Sequence, residues 1–179
     1  MRVVAMAAVL VVLAGFTGTA HAAPNRDGDG YEGNYGERWV GTSGTSAIGG
    51  VATGGVETDG VNAFRGTNNG WLYAAGGWSA QARQFDVGGW AGRTNCEARF
   101  MAKPRDFDQQ VTLQVWNPEG WTQVSNGGGI LPADQYTQLK SWPFDMSGAH
   151  WVYVQAVIGA GSPNQGRAVR LDEFELECF

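Results

Sequence analysis

Between His150 and Ile158 every second residue is aliphatic: Val152, Val154, Ala156 and Ile158 alternate with Trp151, Tyr153, Gln155 and Val157. A period of two predicts a strand with one side on a core and the other turned away from it. The same alternation sets Val111, Leu113 and Val115 against Thr112, Gln114 and Trp116 in Gln110–Asn117. It also sets Cys96, Ala98, Phe100 and Ala102 against Glu97, Arg99, Met101 and Lys103 in Thr94–Lys103. Strands are further expected over Ala80–Val87 and Arg167–Cys178, with a short return strand over Trp121–Val124. Turns follow from Gly88-Gly89, Pro104–Asp108, Asn117-Pro-Glu-Gly120, Pro132–Asp134 and the glycine-rich Gly159–Gly166. Gly127–Gly129 reads as a loose loop. From Trp39 to Gly70 the chain is rich in Gly, Thr and Ser, which predicts short strands and long turns, and Trp71, Trp78 and Trp90 fall in glycine-rich loops. Short strands about every ten residues, with no helical period between them, predict an all-β antiparallel β-sandwich of the jelly-roll class.

Residues 1–22 break this pattern. Arg2, the apolar run from Val3 to Phe16 and the small-residue site Thr19–Ala22 predict a secretory leader, with one domain over residues 23–179. Cleavage would remove one cation and no carboxylate, taking the formal charge from −5 to −6. No later run has the ~20 apolar residues a membrane helix needs. The chain is therefore expected outside the cell, as a monomer, without a membrane. Nucleic acid is a poor partner for it, because Lys and Arg are not clustered. Glycine makes up 28 of 179 residues, about twice the usual share of ~7%, in keeping with many turns. Cys96 and Cys178 would meet an oxidising compartment, where an intramolecular disulfide is the plain expectation and intermolecular pairing or free thiols the alternatives. Such a closure would stabilise by about 4 to 5 kcal/mol on the chain-entropy account.

Eight Trp and five Tyr in so small a domain suggest a ligand with apolar faces and hydroxyl edges, which describes a sugar chain. Two outward rows carry the required mixture: Thr112, Gln114 and Trp116, and Trp151, Tyr153 and Gln155. Trp39, Trp121, Trp142 and Trp151 have a structural reading as well, filling the core and its ends. For catalysis the sequence offers little: one histidine after the leader, His150, and carboxylates at Glu97, Asp106, Asp108 and Glu119, the last three in turns. Asn25-Arg-Asp-Gly-Asp-Gly30 matches the first half of a calcium loop, but the position for a closing Glu is Gly36.

Tyr136-Thr-Gln-Leu-Lys-Ser-Trp-Pro-Phe144, the Trp151–Ile158 strand and Arg170-Leu-Asp-Glu-Phe-Glu-Leu176 together resemble the last third of jelly-roll carbohydrate-binding modules of the xylan- and glucan-binding type. Upstream the resemblance extends thinly to Tyr31-Glu32, Trp39, Gln81–Val87 and Cys96–Lys103. It implies non-catalytic binding of a polysaccharide on a concave sheet, carried most directly by Trp116, Gln114, Tyr153 and Gln155. Arg99 and Glu97 are expected to join from a neighbouring strand. It also implies a structural calcium ion between Glu32 and Asp172, although Asp172 reads equally well as an ion partner of Arg170. The rival functions are a sandwich-fold glycoside hydrolase or polysaccharide lyase, and an exported protein-interaction domain.

Overall fold

The computed structural model describes residues 25–33, 38–45, 50–90, 92–160, 162 and 164–179. The leader expected at 1–22, and Gly36 of the partial calcium loop, lie outside them. Eleven strands follow one another: β1 (Asn25–Asp29), β2 (Trp39–Thr45), β3 (Val51–Glu57), β4 (Asn69–Ala75), β5 (Gly77–Asp86), β6 (Cys96–Pro104), β7 (Gln109–Asn117), β8 (Thr122–Leu131), β9 (Thr137–Lys140), β10 (Trp151–Ala160) and β11 (Arg167–Cys178). They form two antiparallel sheets. One has the order β3-β4-β11-β6-β9, with β1 beside the second half of β11; the other has the order β2-β5-β10-β7-β8. The fold is the all-β sandwich that the alternation predicts.

The core lies between the sheets and is built by the inward halves of the periodic strands. Val111, Leu113 and Val115 of β7, and Val152, Val154 and Ala156 of β10, are fully buried, facing Ala98, Phe100 and Ala102 of β6. Phe174 stacks on Phe100 at 4.7 Å between ring centres, and Tyr31 stacks on Trp39 at 3.9 Å. Cys96 and Cys178 form a disulfide that joins β6 to the end of β11, at a pair of positions already opposite each other in the ladder.

Several elements differ from the sequence expectation, each for a local reason. β8 runs straight through Gly127–Gly129, because a side chain at Gly127 would strike the backbone carbonyl of Lys140 where the chain crosses that edge. Glycine is there for close approach, and the segment is not a loop. Trp71 lies in β4 and Trp78 in β5, so of the three glycine-flanked tryptophans only Trp90 is outside a strand. Asn25–Asp29 is strand β1, and Asp27 and Asp29 are ion-paired to buried Arg83.

β5 has polar residues on its inner side. Ser79 donates to the Thr53 carbonyl at 2.8 Å, and the Tyr31 hydroxyl donates to Gln81 Oε1 at 2.8 Å. Arg83, 2% exposed, reaches Asp27 at 3.2 Å and Asp29 at 3.7 Å. Burial pulls the pKa of this guanidinium down and the two carboxylates pull it back. Two of the outward residues of the same strand, Ala80 and Ala82, are small, which shapes the face described next.

Candidate functional site

The outer face of the β2-β5-β10-β7-β8 sheet collects the outward residues of its strands in rows. Tyr153 of β10 lies opposite Trp116 of β7 on one side and Gln84 of β5 on the other. One row along, Val40, Ala82, Gln155 and Gln114 stand side by side; the next holds Thr42, Ala80, Val157 and Thr112. Rows are about 6.6 Å apart and five strands extend about 19 Å between the outer two, so the face is long enough for several sugar units laid across the strands.

Relief on this face comes from the sizes of the side chains. Val40, Thr42 and Ala82 are low, while Trp116 and Tyr153 stand up beside them, leaving a hollow of about 230 Å³ lined by these five together with Trp121 and Gln155. Trp121 is 70% exposed and meets Tyr153 edge-on at 6.0 Å between ring centres. It sits in the β7–β8 turn with φ of 47°, which aims it back over the sheet. The Trp116 indole N–H donates to Gln114 Oε1 at 3.2 Å, holding the ring and leaving the Gln114 amide donors available. Gln155 and the Tyr153 hydroxyl make no hydrogen bond to any described residue and stay turned to solvent. Farther along the same face Trp78, 43% exposed, lies against Gly44 of β2, where any side chain would collide with the indole.

The structure thus brings together Trp116, Gln114, Thr112, Tyr153 and Gln155, with Trp151 at the end of the row, edge-on to His150 at 4.9 Å. Trp121, given a structural reading from the sequence, and Trp78, expected in a loop, also belong to this face. The signal for Trp121 was its place one residue after the Asn117–Gly120 turn, at the mouth of the hairpin that carries Trp116.

Glu97 and Arg99 do not join this face. They lie on β6, in the opposite sheet, so the sandwich separates them from Trp116. There Arg99 pairs with Glu175 at 2.6 Å and Glu177 at 3.1 Å, and Glu97 with Lys140 at 3.0 Å. The other carboxylates that could serve a hydrolase are likewise dispersed: Asp108 accepts the Ala133 N–H, Glu119 accepts the His150 N–H, and Asp106 lies beside Arg105. The hollow itself is lined by no Asp or Glu.

Glu32 and Asp172 both act on the loop at residues 60–68. Asp172 Oδ2 accepts the N–H groups of Phe64 and Arg65 at 2.7 and 3.0 Å, and Oδ1 accepts that of Glu173. Glu32 Oε1 accepts those of Thr67 and Asn68 at 2.6 and 2.9 Å. A bulge in β11, with Glu173 at φ 49°, turns Asp172 out of the strand's alternation toward this loop. One oxygen of each carboxylate therefore has both acceptor directions filled by N–H groups, whose positive ends point where a cation would have to approach. As placed, the pair is engaged by amide donors of the loop, and no group of three or more His, Cys, Asp and Glu gathers among the described residues. Burial pushes the Asp172 pKa up to about 6, against the pull of its three N–H partners, whereas exposed Glu32 is held below its ordinary value by its own.

No protein-family model and no curated protein matches the chain. Solved structures do. The family 11 carbohydrate-binding module of Clostridium thermocellum, in complex with a β-1,3-1,4-mixed-linked tetrasaccharide, is 14% identical with a TM-score of 0.56, over 87% of this chain and 96% of that one. The C-terminal family 22 module of Clostridium thermocellum Xyn10B is 12% identical with a TM-score of 0.54, over 85% and 92%. The enzymatically active domain of bacteriophage CBA120 tailspike protein 4 matches at 12% and 0.51, but this chain spans only 19% of its length. Taken with the strand order and the disposition of the two sheets, these likenesses show that the chain has the jelly-roll fold of carbohydrate-binding modules.

Proposed function

We propose that the chain is an exported module that binds a neutral polysaccharide without cleaving it, on the outer face of the β2-β5-β10-β7-β8 sheet. One observation carries the proposal: the rings of Tyr153, Trp116 and Trp121 stand beside the Gln155 amide and the free amide donors of Gln114, over a floor of small residues, with no charged side chain lining the hollow. Rings suit the C–H faces of pyranose units, and planar amides suit their paired hydroxyls. The length of the face suits an internal stretch of a β-linked chain. Two carboxylates flanking a scissile bond are required for ordinary glycoside hydrolysis, and this hollow offers none. Residues 1–22 are the leader that exports the protein.

Affinity electrophoresis through gels holding mixed-linked β-glucan, xylan or galactan tests this. Retardation of the wild type in at least one neutral gel is expected, and Trp116→Ala or Tyr153→Ala should each weaken binding by about 1 to 3 kcal/mol, as for a hot-spot ring, enough to abolish it. Retardation that survives both changes would refute the assignment of this face.

A further inference from the structure

The opposite sheet carries a second cluster of rings that the neutral-glycan face does not use. β4 turns Trp71 and Tyr73 outward, two residues apart and half-buried. Each ring lies against a glycine: a Cβ on Gly55 would come within 3.0 to 3.2 Å of the Trp71 indole, and one on Gly166 would collide with the Tyr73 phenol. A side chain at either position would crowd the ring, so glycine lets the rings lie down on the sheet rather than stand off it. In the ladder, Trp71 has Gly55 on one side and Arg170 on the other; Tyr73 has Thr53 and Ala168. The small Ala168 leaves the side of the Tyr73 ring open. The result is a hollow of about 230 Å³ with an apolar floor.

Its rim is cationic. Arg170 is fixed by a bond from Nε to Glu57 Oε2 at 3.0 Å, which leaves its two terminal nitrogens turned elsewhere. Arg105 enters from the turn after β6 with its side chain 59% exposed, and Lys103 stands opposite Arg170 in β6. Of these, Arg105 and Arg170 line the hollow together with Glu57, while the Lys103 ammonium lies over the Tyr136 ring at 5.9 Å, all on a chain whose net charge is −5. The neutral-glycan hollow has no charge at all. The two differ in the one property that separates neutral from acidic sugars.

We propose that this hollow is a second glycan site, specific for a uronate-bearing chain. A pyranose ring would lie on Trp71 and Tyr73 while its carboxylate takes the guanidinium groups of Arg105 and Arg170, the planar fork being suited to two carboxylate oxygens. The proposal shares its ligand class with the neutral-glycan reading but none of its residues, so each stands or falls separately.

The test is affinity electrophoresis of the full chain in gels holding polygalacturonate or neutral mixed-linked β-glucan. The wild type is expected to be retarded by polygalacturonate at low salt despite its negative charge, less so as salt is raised. Trp71→Ala and Arg105→Glu should each weaken that retardation at least tenfold and leave β-glucan binding within twofold, while Trp116→Ala should do the reverse. Arg105→Glu decides the matter where Trp71→Ala fails to fold, its site being exposed. No retardation by polygalacturonate, or retardation that Arg105→Glu leaves intact, overturns the proposal. Loss in Trp116→Ala in place of Trp71→Ala would move acidic binding to the neutral face and overturn it as well.

Discussion

On the outer face of β6 and β11, Arg99 stands between Glu175 and Glu177, with Arg26, Glu97 and Lys140 completing the set. On the outer face of β7 and β10, Gln114, Trp116, Tyr153 and Gln155 occupy equivalent outward positions and share a single hydrogen bond among them. Both faces come from the same period of two, yet one is closed by its own ion pairs and the other is left with rings and amides that only solvent or a ligand can meet. Outward position alone therefore says little about binding. What matters is whether the neighbouring strands supply partners.

The largest effect that would separate the two halves is at the disulfide, which belongs to the ion-paired sheet. Replacing Cys96 and Cys178 with Ser should cost about 4 to 5 kcal/mol in denaturant unfolding, since the bridge closes a separation of 82 residues. Glycan affinity measured where the variant is still folded should not change, and a matching fall would show that the two sheets are coupled. Next is Trp121→Ala, which should weaken glycan binding by about 1 to 2 kcal/mol by calorimetry with the melting temperature unmoved, because the ring is largely outside the core. Arg99→Leu should do the opposite, lowering stability by about 1 kcal/mol in a salt-dependent way and sparing glycan binding, since it takes from Glu177 its ion pair and leaves Glu175 with Arg26 alone.

The smallest effect concerns pH. Asp172 has a native pKa of about 6, above the ordinary 3.8, so the native state holds its proton more tightly than the unfolded chain. Its contribution to stability is complete below about pH 4 and is lost as pH rises toward 6. Glu32, depressed, contributes in the opposite sense, and its share is lost as pH falls. Asp172→Asn should flatten the decline between pH 4 and pH 6 in thermal melts. A chelator or added calcium should leave the wild-type curve in place if the N–H partners alone satisfy these carboxylates.

How much of this was legible in the sequence follows the same division. The faces of β7 and β10 could be read directly, because aliphatic and polar residues alternate in them without interruption. Arg99 and Glu97 were correctly outward but assigned to the wrong sheet: alternation tells which way a side chain points, and sheet membership depends on which distant strand pairs with β6. β5 defeats the pattern, since Ser79, Gln81 and Arg83 are inside and Ala80 and Ala82 outside. Their partners, the Thr53 carbonyl, Tyr31 and the β1 carboxylates, lie 26 to 56 residues away. Trp71 and Trp78 were hidden for another reason. Glycines near a tryptophan suggest a loop, but here Gly55 and Gly44 are the strand positions on which the indoles rest.

Asn25 is paired with Cys178 in the β1–β11 ladder, so both ends of the described domain leave from a single corner of the ion-paired sheet. A dye, a bead or a fused enzyme attached at either end would start from that corner, with the Trp116–Tyr153 hollow facing away from its support.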